Sequence, residues 1–244
     1  MRDRVVQSLW IGSRLSIMER LAIRSFLANG HEFHLYCYDN VEGLPPGTVV
    51  KDGNEILSES RIFTYSAGFA KGSHAAFSNL FRYKLLLERG GWWVDTDVVC
   101  LRAFDLVDDR LWASERTDPP QELIVSTSVI KAPAGDALMA WAWQECQGVD
   151  TTNVTFGQLG PRLLQAGVDA LRVHACMRPH TFFCPIPFYE WSKMLDPAHT
   201  FVLGTEVYGV HLWNQMWSAR YVDKDATFPD DCFYEQLKRR FLVA

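Results

Sequence analysis

Long apolar runs are absent from this sequence. Its 244 residues contain no stretch of about eighteen consecutive apolar residues, the length that a membrane-spanning helix requires. Polar side chains also interrupt the first residues too early for a signal peptide. We therefore expect a cytoplasmic protein with no transmembrane segment. The basic and apolar segment 233–244 predicts a docked surface helix and leaves peripheral contact with the inner face of the membrane open.

Closely spaced cysteines are absent as well. The six cysteines are scattered along the chain, and no two of them are separated by two or three residues. This spacing argues against a zinc ribbon and against a thioredoxin-type redox pair. It agrees with a cytoplasmic protein whose thiols stay reduced.

An excess of positive charge is also missing. The chain has 24 Lys and Arg residues against 29 Asp and Glu residues, so its formal net charge is −5. Such a chain has no general attraction to nucleic acid, and we expect no nucleic-acid partner. No internal repeat or linker divides the sequence, so we expect a single domain over residues 1–244.

Aromatic residues, in contrast, are abundant. The chain contains 9 Trp, 15 Phe and 8 Tyr residues. Their flat apolar faces suit a hydrophobic core, a nucleotide base or the face of a sugar. Composition alone does not choose among these uses.

Strand-like and helix-like segments alternate along the chain. Short apolar runs predict strands over residues 5–11, 33–38, 92–101, 126–131, 171–175 and 206–212. Helical patterns cover residues 17–28, 73–89, 135–147 and 161–166. Ser16 and Glu19 predict a capping box at the first helix. The alternation predicts an α/β fold with a mostly parallel central sheet flanked by helices, in which ligands bind beyond the carboxyl ends of the strands.

Two aspartates interrupt the apolar run over residues 92–101. Asp95 and Asp97 flank Thr96, and within a strand their side chains would point to the same side. Two neighbouring carboxylates repel each other and need a compensating cation, and their hard oxygen atoms suit Mg²⁺ or Mn²⁺. The alternative is that the strand ends here and the aspartates start a turn. Spacing alone does not decide between the two.

The helix before this strand carries polar side chains on one face. Ser78 and Asn79 lie four and three residues before Arg82, so the three share that face. Only Gly90 and Gly91 separate the helix from the predicted strand that carries the aspartates. The Arg82 guanidinium can therefore pair with an aspartate, or hold a phosphate or a sugar hydroxyl. A purely structural salt bridge is equally compatible with the pattern.

Residues 75–105 resemble the DXD sugar-binding region of family 32 glycosyltransferases and, more distantly, the bacterial glucosylating toxins. The matching residues are Ala75, Ala76, Ser78, Arg82, Tyr83, Gly90, Gly91, Asp95 and Asp97. The chain departs from the family at Asn79, which is usually Asp, and at Trp93, which is usually Tyr. Further segments that resemble the family occur in the same order, at residues 8–12, 157–161 and 210–217.

The resemblance implies a glycosyltransferase A-type fold. It places a nucleotide-sugar-binding half over residues 1–105 and an acceptor-binding half, with a C-terminal closing segment, over residues 106–244. Its catalytic set is Asp95, Asp97 and Arg82.

The resemblance also implies a divalent metal, Mn²⁺ or Mg²⁺, as cofactor. Asp97 would coordinate the metal that bridges the diphosphate of the donor, and Asp95 would contact the ribose or donor sugar and help to hold the metal. His211 opens the C-terminal H-x-W segment of the resemblance, which makes it the candidate third ligand or a phosphate contact, and a neutral imidazole suits Mn²⁺. A packed, hydrogen-bonded histidine is the alternative.

Substrate-binding residues follow from the same resemblance. Trp10 would stack on the nucleotide base, whereas Arg82 and Asn79 would bind donor-sugar hydroxyls, the latter without a charge. Trp213 and Trp217 would close over the diphosphate and sugar. Each of these tryptophans has core packing as its alternative, and Asp39 lies either near the nucleotide or in a turn. The whole predicted set is Trp10, Ile11, Gly12, Asp39, Ser78, Asn79, Arg82, Asp95, Thr96, Trp213 and Trp217.

These expectations describe a metal-dependent hexosyltransferase. It would move a hexose from a UDP- or GDP-linked donor to a glycan or glycolipid acceptor, with retention of configuration, in surface polysaccharide synthesis. Glu115 and Asp118, in the loop expected after the aspartate strand, are candidate nucleophiles. A nucleotide-sugar-binding protein without turnover and a toxin-like protein glycosyltransferase stay open as alternatives. A two-metal phosphatase or nuclease is disfavoured, because the sequence has no second acidic cluster.

Overall fold

A six-stranded sheet lies at the centre of the computed structural model, which describes residues 4–118 and 122–242. The helices and strands are, in chain order, β1 (Val5–Leu9), α1 (Ile17–Ala28), β2 (Glu32–Cys37), β3 (Val49–Asp52), α2 (Ala75–Arg89), β4 (Gly91–Val94), β5 (Val98–Cys100), β6 (Leu111–Arg116), β7 (Leu123–Ala132), α3 (Ala137–Gln147), α4 (Pro161–Leu171), β8 (Gly209–His211), α5 (Asn214–Ala219) and α6 (Phe233–Leu242). Short 3₁₀ helices lie in the connections, at Gly53–Glu55, Glu59–Arg61, His174–Cys176, His180–Phe182 and Phe188–Leu195.

The strands of the central sheet run mostly in one direction. Their order is β3-β2-β1-β4-β7-β6. Strands β1 to β4 are parallel to their neighbours among themselves, and β7 is antiparallel to both β4 and β6. The predicted α/β fold with a mostly parallel sheet flanked by helices is therefore confirmed.

Helices cover both faces of this sheet. α1 and α6 pack together over one hydrophobic core, whereas α2, α3 and α4 enclose a second core on the other face. Two neighbouring residues of β4 divide between the cores, with Trp92 in the first and Trp93 in the second. This division follows from the alternation of side chains along a strand.

The N-terminus of α1 carries the predicted capping box. The Ser16 hydroxyl accepts a hydrogen bond from the Met18 backbone N–H, and the Glu19 carboxylate accepts one from the Ser16 backbone N–H. Each contact satisfies a backbone group that the first helical turn leaves free. The helix ends at Asn29, as the Asn-Gly pair there predicts.

Three predicted strands differ from the structure. Residues 92–101 do not form one strand, because a turn at residues 95–97 separates β4 from β5 and sends the two into different sheets. Residues 171–175 complete α4 and begin a 3₁₀ helix, since Arg172 adopts a left-handed conformation with φ of 55° that caps α4. The strand predicted over residues 206–212 is shorter in the structure, where β8 spans Gly209–His211.

Two observed strands were missing from the prediction. β3 lies in a polar stretch and forms one edge of the sheet, where it buries little side-chain surface. β6 forms the opposite edge, and its sequence, Leu-Trp-Ala-Ser-Glu-Arg, has no clear alternation of apolar and polar residues. Edge strands need only one pairing partner, so their sequence signal is weak.

A small second sheet joins distant parts of the chain. β5 pairs with β8 in antiparallel register, with Val98 opposite His211. This pairing brings the C-terminal part of the chain to the aspartate turn. α6 corresponds to the helix predicted over the C-terminal segment 233–244. Residues 243–244 of that segment lie outside the described residues. Within the described part of the chain, every helix is too short or too polar to span a membrane.

Candidate active site

A cavity of about 1140 Å³ opens beyond the carboxyl ends of β1 and β4. Trp10 follows β1 and Asp95 follows β4, and both side chains line the cavity. This is the edge at which α/β sheets bind ligands, because the loops after parallel strands meet there.

The two aspartates lie in a turn rather than along a strand. The Val98 backbone N–H donates a hydrogen bond to the Asp95 carbonyl at 3.1 Å, which closes the turn. The Asp95 backbone N–H donates to the carbonyl of Ser128 at 2.8 Å and so fixes the turn to β7. Of the two alternatives that the spacing left open, the structure therefore has the turn, and the turn brings the carboxylates together.

His211 completes a compact cluster with the two aspartates. Its Nε2 atom lies 3.2 Å from Asp97 Oδ2, which also accepts a hydrogen bond from the Asn214 backbone N–H at 2.8 Å. The imidazole stacks against Trp213, with 3.9 Å between ring centroids. The candidate ligand atoms of Asp95, Asp97 and His211 all lie within 4.8 Å of one another.

The donor set of this cluster fits a divalent metal. Two carboxylates and an imidazole are ligands that Mn²⁺ accepts, and Mg²⁺ accepts the carboxylates. The spread of the ligand atoms is small enough for all three to reach one ion. Asp95, Asp97 and His211 are therefore the residues that could hold the expected cofactor.

Burial shapes the electrostatics of these groups. Burial raises the pKa of Asp95, and the neighbouring Arg82 charge offsets only part of this effect. Burial also acts to raise the pKa of Asp97, but the His211 charge and hydrogen bonds outweigh it, so the pKa is lowered. Burial disfavours the protonated imidazole, yet the Asp97 carboxylate outweighs burial and keeps the pKa of His211 well above its usual value. Without a metal, the buried Asp97 thus has the imidazolium as its counter-charge.

Arg82 is the buried cation beside this cluster. Its guanidinium lies 3.1 Å from Asp95 Oδ1, and it also donates hydrogen bonds to the Thr127 carbonyl and the Ser78 hydroxyl. It sits over the Trp93 ring, 4.8 Å from the centroid. The Trp93 indole N–H donates to the same Asp95 oxygen at 2.8 Å. Of the two contacts predicted for Arg82, the pairing with an aspartate is present, and the contact with a phosphate or sugar hydroxyl stays a prediction, although Arg82 lines the cavity.

Most of the sequence-predicted site residues line this one cavity. They are Trp10, Ile11, Ser78, Asn79, Arg82, Asp95, Thr96, Asp97, His211 and Trp213. Among the described residues, four residues that line the cavity have a buried polar atom without a hydrogen-bond partner: Ser8 Oγ, Trp10 Nε1, Asn79 Oδ1 and Asn214 Oδ1. Buried polar atoms normally have partners, so these four are available to a ligand.

Three predicted residues do not line the cavity within the described part of the chain. Gly12 lies behind Trp10, and a Cβ at this glycine would lie 3.5 Å from the indole nitrogen. Asp39 is exposed at the end of β2. Trp217 is fully buried among aromatic rings, and its indole N–H donates to the Leu212 carbonyl at 2.8 Å. For Trp217 the structure matches the core-packing alternative.

Glu115 lies on a strand, although it was predicted to lie in a loop. It lies on β6, lines the cavity and is bonded to the Ser126 hydroxyl. Ser126 and Ser128 also line the cavity, although the sequence analysis did not select them. Their signal is a run of hydroxyl residues, Ser-Thr-Ser, inside an otherwise apolar strand. The other candidate nucleophile, Asp118, is exposed and is not among the described residues that line the cavity.

Together, the sheet order and the aspartate turn place a DXD motif at the ligand-binding edge of an α/β sheet. Residues 18–117 match the family described as "Glycosyltransferase sugar-binding region containing DXD motif". The match includes residues 75–105, so the resemblance predicted there is confirmed, and it supports a transferase. No curated protein matches the chain by sequence.

Among solved structures, the match to PaToxG Glycosyltransferase shows a similar fold. The structure of PaToxG Glycosyltransferase shares 12% sequence identity with this chain at a TM-score of 0.50, over 98% of this chain and 85% of that one. The apo-form glycosyltransferase GlyE of Streptococcus pneumoniae TIGR4 shares 13% identity at a TM-score of 0.39, over 98% of this chain and 64% of that one. The likeness to PaToxG concerns the fold.

Proposed function

We propose that this chain transfers a hexose from a nucleotide sugar to a saccharide or lipid-linked saccharide, with retention of configuration and a divalent metal as cofactor. The observation that carries the proposal is the cluster of Asp95, Asp97 and His211 at a cavity large enough for a nucleotide sugar. UDP- and GDP-hexoses are the donor classes considered, and surface polysaccharide synthesis is the proposed role. Six unpaired thiols support a cytoplasmic setting.

The metal site has a clear chemical purpose in this proposal. Asp95, Asp97 and His211 would hold Mn²⁺ or Mg²⁺. When bound, the ion supplies positive charge that stabilises the departing nucleoside diphosphate. The backbone N–H of Asn214 holds Asp97 in place, so the carboxylate is oriented before any ion arrives.

The remaining cavity residues would bind and orient the donor. Arg82 holds Asp95 and faces the cavity, which suits a role in positioning the donor sugar. Asn79 Oδ1 is free to accept a hydrogen bond from a sugar hydroxyl. Trp10 offers an indole ring for base stacking and a free N–H. Trp213 lines the cavity and fixes the His211 ring.

The two halves of the chain would divide the work. Residues 1–105 contribute the aspartate turn and the proposed base platform, and residues 106–244 contribute His211 and the far wall of the cavity. Because β5 and β8 pair across this division, the proposed metal site forms only when both halves are in place.

Hydrolysis of nucleotide sugars in the presence of Mn²⁺ tests this proposal. The wild type should release the nucleoside diphosphate from one of a panel of UDP- and GDP-hexoses. Asp97→Ala should lower the rate by about a hundredfold or more, because metals typically supply several kcal/mol of charge stabilisation. Asp105→Asn is the matched control, since this aspartate is exposed and distant from the cavity lining.

Three results would count against the proposal or redirect it. Equal turnover by the wild type and Asp97→Ala would remove the assigned metal role. Turnover that persists in excess chelator would remove the metal requirement itself. Tight donor binding by the wild type without any product over long incubation would indicate a nucleotide-sugar-binding protein instead.

A further inference from the structure

The cavity holds a third carboxylate that the metal cluster does not use. Asp95 and Asp97 belong to the cluster with His211, whereas Glu115 lines the same cavity outside it. Among the described residues these are the three acidic side chains in the cavity wall. A carboxylate repels an anionic donor, so donor binding does not explain a carboxylate at this position.

Backbone pairing determines where Glu115 points. β6 and β7 are antiparallel, and Glu115 lies opposite Ile124. Ser126 is two residues further along β7, so its side chain lies on the same face of the sheet as Glu115. The register shifts after Trp112, and the Ser128 carbonyl of β7 accepts a hydrogen bond from the Asp95 backbone N–H of the aspartate turn.

A row of polar side chains links Glu115 to His211. The Ser126 hydroxyl contacts Glu115 and lies 3.0 Å from the Ser128 hydroxyl. Ser128 Oγ lies 3.7 Å from Cys184 Sγ, which lies 4.0 Å from His211 Nδ1. The row connects Glu115 to the proposed metal cluster, and both line the same cavity.

The Glu115 carboxylate has unused hydrogen-bonding capacity. An ionised carboxylate has about four acceptor positions on its two oxygens. Within the described part of the chain, the Ser126 hydroxyl hydrogen-bonds to it and the His211 charge also favours its ionised form, but no residue forms a salt bridge with it. Burial raises the pKa of Glu115, because it destabilises the ionised carboxylate. A further hydrogen-bond donor would therefore stabilise that ionised form.

We propose that Glu115 binds the sugar acceptor by accepting hydrogen bonds from its hydroxyl groups beside the donor site. This inference rests on the proposed function and names the residue that would recognise the second substrate. A buried carboxylate can accept hydrogen bonds from neutral hydroxyl groups without a cationic partner. A polyhydroxylated saccharide supplies several such groups side by side, which makes it the acceptor class that fits.

Separate measurements of transfer and hydrolysis test this role. In the transfer assay, an excess of pooled methyl glycosides acts as acceptor with a nucleotide sugar and Mn²⁺, and mass spectrometry detects the products. In the hydrolysis assay, the same donor reacts with water alone. Glu115→Gln should lower kcat/KM for transfer by about 10- to 100-fold, mainly through the acceptor KM. Its rate of donor hydrolysis should stay within about twofold of the wild type.

Two further variants control for charge and for folding. Glu122→Gln removes an exposed glutamate at the end of the same strand pair and should leave both rates unchanged. Glu115→Asp keeps the charge on a shorter side chain and should restore part of the transfer rate. The thermal shift on adding UDP and Mn²⁺ should be the same for all variants, because none removes a proposed ligand of either.

The outcomes separate this inference from the proposed function. Parallel losses of hydrolysis and transfer in Glu115→Gln would overturn the acceptor role and favour a nucleophile or a donor contact. Unchanged transfer would overturn it as well. If the wild type hydrolyses no nucleotide sugar with any metal, the proposed function itself fails, which is a distinct result.

Discussion

Arg82 shows at the scale of one residue how a buried charge is held. Its side chain is 4% exposed, yet it has an ion pair with Asp95 and hydrogen bonds to Thr127 and Ser78. The Trp93 ring covers another face of the guanidinium. Removal of this cation would leave a buried carboxylate without compensation, and that loss costs far more than an exposed ion pair is worth.

Arg82→Ala should lower the free energy of unfolding by about 3–5 kcal/mol, the range for breaking a buried ion pair. Arg89→Ala is the matched control, because Arg89 lies in the same helix and pairs with Glu55 at the surface. Its cost should be about 1 kcal/mol or less. Urea unfolding at neutral pH measures both values. Similar losses in the two variants would contradict the structural account.

Tryptophans illustrate what could be predicted at this scale. The resemblance assigned Trp10, Trp213 and Trp217 to one binding site, but only the first two line the cavity. An indole ring suits a ligand-binding wall and a protein core equally well, so residue type cannot separate the two. What separates them is the surroundings, since Trp217 packs against Tyr234, a residue of the distant C-terminal helix.

At the scale of elements, the junction between α2 and β4 positions the site. Arg82 is on the helix and Asp95 follows the strand, so the tight turn between them sets their separation. Gly90 makes this turn with φ of 64°, and a Cβ there would lie 2.4 Å from the Ala134 backbone nitrogen. Only glycine combines this conformation with so close an approach of two backbones.

Gly90→Ala should therefore lower the free energy of unfolding by more than the cost of placing an alanine at a positive φ. Gly135→Ala is the matched control, because Gly135 also has a positive φ, of 78°, but has open space around it. The control should cost about 1 kcal/mol, and Gly90→Ala several times as much, since a backbone segment must move. Thermal unfolding compares the two. Equal costs would show that the close approach is unimportant.

Elements also differ in how well their sequences predict them. The boundaries of α1 followed from its capping box and the Asn-Gly pair, because these signals act within one turn of the helix. The break after β4 did not follow from sequence. Apolar residues continue on both sides of Asp95, and pairing of β5 with the remote β8, rather than local preference, decides where the strand ends.

At the scale of the whole molecule, the C-terminal segment closes the site. β8 delivers His211, and the next residues place the Asn214 backbone N–H on Asp97. Sequence could suggest His211 only through its family resemblance, because 113 positions separate it from Val98, its partner in the register. Long-range pairing of this kind leaves no periodic signal in either segment.

Trp217 connects this closing segment to the rest of the molecule. Its indole N–H donates to the Leu212 carbonyl, and its ring packs against Tyr234 and Phe228. Trp217→Phe removes that donor and leaves a buried carbonyl unsatisfied, so it should lower the free energy of unfolding by about 1–3 kcal/mol. Trp217 is not among the described residues that line the cavity, so at temperatures below the melting temperature the donor KM of this variant should stay within about twofold of the wild-type value.

Trp213→Phe is the matched comparison. The Trp213 ring lines the cavity and stacks on His211, so the donor KM of this variant should rise. Chemical unfolding and donor-hydrolysis kinetics on both variants distinguish core from cavity. A raised donor KM in Trp217→Phe would show instead that this residue moves over the donor when it binds.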